Sequence, residues 1–228
     1  MIGESMLARA LHKGALVVLD SDFVWSLPNI IVFQFNPEQV TRNLAPQVAG
    51  ASAEKPGQAR PEALKTSGPP LETISLKVVM DATDQLEFPQ LHPNIVLFGI
   101  HPALAALELL LYPPSTQLVY NEQLWSTAVT QVSPKADKLP IVLFVWGPAR
   151  VVPVRVTSFS VAEEFFDPRL NPIRASVDIG LQVMTSTVLP PKGFAHDAYI
   201  VYQQAKERLA RLHMAETAEQ ALSVILPF

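Results

Sequence analysis

Cysteine is absent from the 228-residue chain, which excludes disulfides, thiolate zinc sites, iron–sulfur clusters and a cysteine nucleophile. Nine glycines leave little material for a phosphate-cradling loop, and no GxGxxG, P-loop or GxSxG string occurs. Charge is sparse: 17% of positions are Asp, Glu, Lys or Arg, against about 25% in soluble domains generally. The formal net charge is -4, and the nearest approach to a basic cluster is Lys206, Arg208 and Arg211 on one helical stretch. A surface that tracks phosphates needs far more, so nucleic acid is not expected as a partner. Long apolar runs are missing too. The best candidates, Ala15 to Leu19 and Ile141 to Trp146, are strand-sized, well short of the roughly 18 residues that cross a bilayer. Direct membrane insertion is therefore not expected. Lys13 precedes only a five-residue apolar stretch and Asp20 follows it, too little for a secretory signal; a cytoplasmic product is expected. His12, His92, His101, His196 and His213 show no HxH, HExxH or HxxxH spacing, so neither a metal nor a cofactor is expected.

What the chain does have is apolar residues, 49% of positions, and 21 prolines. At this length folding removes roughly 70% of the extended chain's surface from water, enough for a sizeable core. The apolar residues fall mostly in strand patterns. Ala15 to Leu19 and Asn29 to Phe35 are β-branched and aromatic with turn residues between, an early hairpin. In LETISLKVVMDA, Ile74, Leu76, Val78 and Met80 alternate with Ser75, Lys77 and Asp81. Three further strand blocks follow Leu139, and in the last Ile173, Ala175, Val177, Ile179, Leu181 and Val183 alternate with Arg174, Ser176, Asp178 and Gln182. Such a strand has one wet face. Pro153 in the middle block predicts an edge position or a bulge.

Helical spacing is confined to two places: an apolar stripe after His101-Pro102 (Leu104, Leu107, Leu110, Leu111), and Phe194 to Leu212, with Tyr199, Tyr202, Ala205, Leu209 and Leu212. Residues 42–70 and 115–139 are Pro-rich or irregular and predict two long loops ordered by partners. Residues 1–13 read as an N-terminal arm, 14–213 as one β domain, and 214–228 as an apolar tail whose Ile225, Leu226 and Phe228 are candidates for a subunit interface.

Two acidic groupings, Asp81/Asp84/Glu87 and Glu163/Glu164/Asp167, lie where strands end. Paired carboxylates can hydrolyse glycosides when about 5 to 9.5 Å apart, a distance that spacing in sequence does not supply. Acidic residues also simply solvate turns, so no catalytic residue is assigned.

The strings FQFNPE, DATDQLE, GIHPALAALE, FVWG and FDPRLNPIRA occur in that order between Phe33 and Ala175. Together with GALVVLD before them and AYIVYQQAKERLA after, they make residues 14–210 resemble the N-terminal tube-like domain of the contractile injection system tube/LysM baseplate proteins. Those proteins belong to phage-tail-like particles such as the antifeeding prophage and the Photorhabdus virulence cassettes. The resemblance implies a mainly β fold with one or two flanking helices, two packed antiparallel sheets as in the phage tail-tube fold. It implies a non-enzymatic tube initiator: a homo-hexameric ring joining the spike hub to the inner tube among baseplate wedge proteins. Arg174, Ser176, Asp178 and Gln182 are then candidates for the lumen face. The particle would assemble in the cytoplasm and reach the outside on release. No LysM module is evident. The alternatives are a hydrolase of cell-wall polysaccharide using an acidic cluster, and a main tube or cargo-plug subunit.

Overall fold

In the computed structural model the described residues are 13–19, 30–48, 66–113, 115, 119 and 140–225. They form seven strands: β1 (Ala15–Val18), β2 (Ile30–Val32), β3 (Val40–Val48), β4 (Thr66–Asp81), β5 (Val142–Val145), β6 (Val151–Phe166) and β7 (Pro172–Val183). Four helices accompany them: α1 (Thr83–Leu86), α2 (Pro93–Phe98), α3 (His101–Glu108) and α4 (Phe194–Ile225). The fold is mainly β with flanking helices, as expected. The sheet count differs: all seven strands belong to one antiparallel sheet in the order β2-β1-β5-β6-β7-β4-β3, where two were expected. The reason is β6. Its first residues pair with β5 while the strand runs on along β7, so a single hydrogen-bonded ladder joins what would otherwise be two sheets.

The alternation in β4 and β7 places the core. Ile74, Leu76, Val78 and Met80 of β4 are buried, as are Ala175, Val177, Ile179, Leu181 and Val183 of β7. Leu16 and Val18 of β1, Phe144 of β5 and Leu104 and Leu107 of α3 join the same cluster. Pro102 sits in the first turn of α3, where its missing N–H costs nothing.

Several expectations are corrected. Residues 42–48 and 66–70, read as loop, are strand. β3 is an edge strand, and its ladder with β4 shifts register between Ala45 and Gln47, stepping over Pro46. An edge with a bulge is where a sheet tolerates proline. Pro153, in turn, is not on an edge strand: β6 is interior, and the proline sits opposite Leu143 just where the β7 ladder, starting at Val154–Val183, runs out. Helix α4 continues to Ile225, so most of the expected apolar tail 214–228 is helix; Leu226 and Phe228 lie outside the described residues. So do residues 1–12 of the expected arm, 49–65 of the first loop and nearly all of 115–139.

Helix α4 buries Ala195, Tyr199 and Tyr202 against the body and is tied down by a buried carboxylate. Glu72, 3% exposed, accepts hydrogen bonds from Arg42 Nε (2.8 Å) and Nη2 (2.5 Å), from the Tyr202 hydroxyl (3.1 Å) and from Lys206 Nζ (3.1 Å). Burial pushes the Glu72 carboxyl up, but the Arg42 hydrogen bonds and the Lys206 and Arg42 charges outweigh it and hold the group below its ordinary value. Burial, and then the same carboxylate, push the Tyr202 hydroxyl up to about 12. From Glu207 to Met214 every residue is exposed.

Candidate functional site

Several of the strings that carry the resemblance are joints. The Gln34 side-chain amide pairs with the backbone of Asp81, donating to its carbonyl at 2.6 Å and accepting from its N–H at 2.9 Å. It thereby closes the end of β4 as a strand would. Asn36 Oδ1 accepts from Gly14 N at 2.8 Å. Asp81 Oδ1 accepts from Thr83 N (2.9 Å) and Oγ1 (2.5 Å) at the start of α1; these bonds hold its carboxyl below the ordinary aspartate value.

Asp167 organises the β6–β7 turn. Its carboxylate accepts from the backbone of Arg169 and Asn171 and from Asn171 Nδ2, each at 2.8 Å. The Asn171 amide also donates to Leu97 O at 3.1 Å, and Ile100 N donates to Pro172 O at 2.9 Å. Gly99 makes that approach possible: its φ is +57°, and a Cβ there would lie 2.2 Å from Pro172 O. Three strings distant in sequence (81–87, 99–108 and 166–175) thus meet at one end of the sheet.

Two surfaces lie on this scaffold. The first is the face of β3-β4-β7-β6 opposite the core. Register places Lys77 opposite Asp178, and Arg174 opposite Asp81 on one side and Glu164 on the other. Arg174 Nε lies 3.9 Å from Asp81 and 3.8 Å from Glu164. The Arg155 guanidinium donates to Gln182 Oε1. A shallow groove of about 350 Å³ is lined by Thr41, Ser75, Lys77, Ser158, Ser160 and Asp178. The expected lumen residues Arg174, Ser176, Asp178 and Gln182 all belong to this face. The two acidic groupings come together only in part, through Asp81 and Glu164. An arginine sits between those two, and Asp81 is held ionised, the reverse of what a general acid requires. Among the described residues no group of three His, Asp or Glu side chains could hold a metal.

The second surface is the tip of the β6–β7 hairpin with the α1–α2 segment beside it. Phe88, Leu91, Leu97, Phe98, Phe165, Phe166 and Leu170 are all exposed there, Leu170 by 77%. Sequence periodicity missed it, since single apolar residues in turn segments carry no repeat.

A family model described as contractile injection system tube protein matches residues 16–189. The chain belongs to that family. The matched span of this tube-family chain covers the sheet from Leu16 onward and ends at Leu189, before α4. Among solved structures, it is similar to a chain in a tail of an empty GTA particle with C6 symmetry. Identity is 10%, coverage is 75% of this chain and 90% of that one, and the TM-score is 0.28, too low to carry an argument. No curated protein matches. No helix among the described residues is long and apolar enough to cross a membrane.

Proposed function

We propose that this tube-family chain is a structural subunit that closes into a hexameric ring, the β3 edge of one copy pairing with β6 of the next and the polar face turned inward. The observation that carries the reading is a pair of open strand edges. β3 ends the strand order, and β6 pairs with β5 only from Val151 to Val154, so that among the described residues no strand pairs with Arg155 to Phe166 on that side. Unpaired edges are templates for another chain. Their directions also fit. In an antiparallel run of four strands β6 and β3 point oppositely, and rotation about an axis along the strands preserves direction, so β3 meets the next β6 antiparallel. Repeating that contact around an axis closes a ring.

Four strands from each of six copies exceed the roughly 16–18 strands at which a barrel leaves an aqueous channel. Arg174, Ser176, Asp178 and Gln182 then line the bore. The ring serves as tube initiator, joining a spike hub to the inner tube in a phage-tail-like particle assembled in the cytoplasm. Ile225, Leu226 and Phe228 supply a subunit interface. The role is architectural, not enzymatic.

Proline at Asn43 or Leu44 tests the pairing. Of two adjacent strand residues one turns its N–H outward, and proline there leaves β4 pairing intact. The variant that keeps the wild-type melting temperature should sediment as a monomer while wild type sediments as a ring. A wild-type chain that stays monomeric at high concentration and ignores spike and tube subunits would sink the ring.

A further inference from the structure

β6 carries one residue more than its partner needs. Its ladder with β7 pairs Val154 with Val183, Arg155 with Gln182 and Val156 with Leu181, then shifts register and resumes with Ser158 opposite Gly180. Thr157 is left over as a bulge, and it and Ser158, though consecutive, are both exposed. The bulge does not sort side chains between the two faces. Val156 stands opposite the buried Leu181 and Ser158 opposite Gly180 on the polar face; without Thr157 the two would follow one another, each on the face it already has. The extra residue therefore changes the path of the strand and leaves its pattern alone.

Gly180 answers the bulge from β7. A Cβ there would lie 2.1 Å from Ser158 Oγ and 3.4 Å from Thr157 Oγ1, so both side chains lean over the single position of β7 that has none. Glycine inside a strand marks such a close approach or a tight bend. The bulge also lies just beyond Val154, the last residue paired with β5, at the start of the stretch that the ring reading pairs with the next copy. A bulge bends its strand and adds to its right-handed twist. β6 is 16 residues long, about 50 Å, and strands that close a barrel tilt by roughly 35–45° to its axis. A tilted strand of that length leaves the wall unless it curves.

We infer that the Thr157 bulge, seated on Gly180, curves the β3-β4-β7-β6 sheet toward its polar face and thereby sets how many copies close the ring. This rests on the ring reading for assembly and goes beyond it in naming what fixes the ring's size. The side chains give the direction of the bend. Ser75 and Ser158 both stand opposite Gly180, so the polar face is thinnest along that row, whereas the rows beside it hold Lys77 and Asp178, and Arg155 and Gln182. Side chains crowd on the concave side of a bend, and a glycine kink beside a bulge is where a sheet takes up curvature.

Deleting Thr157 from the full chain tests it, because the deletion makes the ladder regular and keeps every other residue opposite its present partner. The deletion variant should melt cooperatively, close to wild type. By native mass spectrometry and electron microscopy it should form rings at least one copy larger than wild type, or open strips, since a flatter sheet closes on a wider radius or fails to close. Rings of the wild-type copy number, or smaller ones, would overturn the inference. If the deletion variant fails to melt cooperatively, Gly180→Val replaces it: the branched side chain fills the concave row and should enlarge or open the ring in the same way. Adding Ser158→Gly should then bring back the wild-type count, because the close approach is restored from the other strand. A Gly180→Val ring of wild-type count, or an enlargement that Ser158→Gly leaves in place, would equally overturn it. The two readings fail differently. Variants that close at the wild-type count refute the role of the bulge alone, whereas a wild-type chain that is monomeric at every concentration refutes the ring and this inference with it.

Discussion

The first residues of β6 and its last ten belong to one strand and lead different lives. Val152, Pro153 and Val154 are buried and pair with β5, and at Val154 the ladder with β7 begins; from Thr157 to Phe166 no residue is buried, and among the described residues no strand pairs on the side away from β7. Both stretches carry residues that favour strands, valines in the first and Thr157, Val161 and three phenylalanines in the second. What differs is the partner supplied. The β1–β2–β5 arm covers the first part and stops at Val154, so the rest of the strand is finished as a strand but not as a sheet interior. A chain built only for its own stability would cover or blunt such an edge; leaving it open suits a subunit completed by a neighbour.

The sharpest test of this contrast is in the buried part. Phe144 of β5, fully buried and stacked on Trp146 at 5.9 Å, lies opposite Val152. Phe144→Ala should cost about 3–5 kcal/mol in denaturant melts. A loss below about 1 kcal/mol would mean that the arm is not part of the core.

Next in size is the clasp that holds α4 across the sheet. Glu72→Ala removes a buried carboxylate from Arg42, Tyr202 and Lys206 and should cost about 2–3 kcal/mol at pH 7, less than for a fully buried pair because both cations keep contact with water. Because the folded group is held below its ordinary value near 4.5, its contribution is complete above that pH and is lost as pH falls through the lower folded value. Melts at pH 7 and pH 3 should therefore show the gap between wild type and variant narrowing in acid; a gap that widens there would contradict the ion-pair account.

The smallest effect belongs to the open stretch. Phe165→Ser should change stability by no more than about 0.5 kcal/mol, and should relieve side-chain strain at a left-handed residue, while self-association falls. Destabilisation comparable to Phe144→Ala would erase the distinction between the two parts of β6.

Periodicity carried much of this protein. Alternation in β4 and β7 identified the core face residue by residue, and the first hairpin and α3 followed from β-branched runs and from Pro102 ahead of a leucine stripe. Those patterns are local, and burial of one face enforces them wherever the strand lies. β3 was illegible for a physical reason: an edge strand with polar residues and Pro46 has no apolar repeat, and it becomes a strand because β4 extends far enough to pair with it. The joints were visible as strings of unusual residues, but their purpose was not. Gln34 replacing a strand at Asp81, Gly99 yielding to Pro172, and Asp81 and Glu164 meeting at Arg174 are contacts between segments dozens of residues apart.

Sequence by itself determined which faces are wet and which are dry, because alternation of side chains is a property of any extended chain. Tertiary structure alone decided which strand edges pair among the described residues and that Glu72 is buried and clasped. Each depends on where one strand stops relative to its neighbour, and nothing in the residues of a single strand records that.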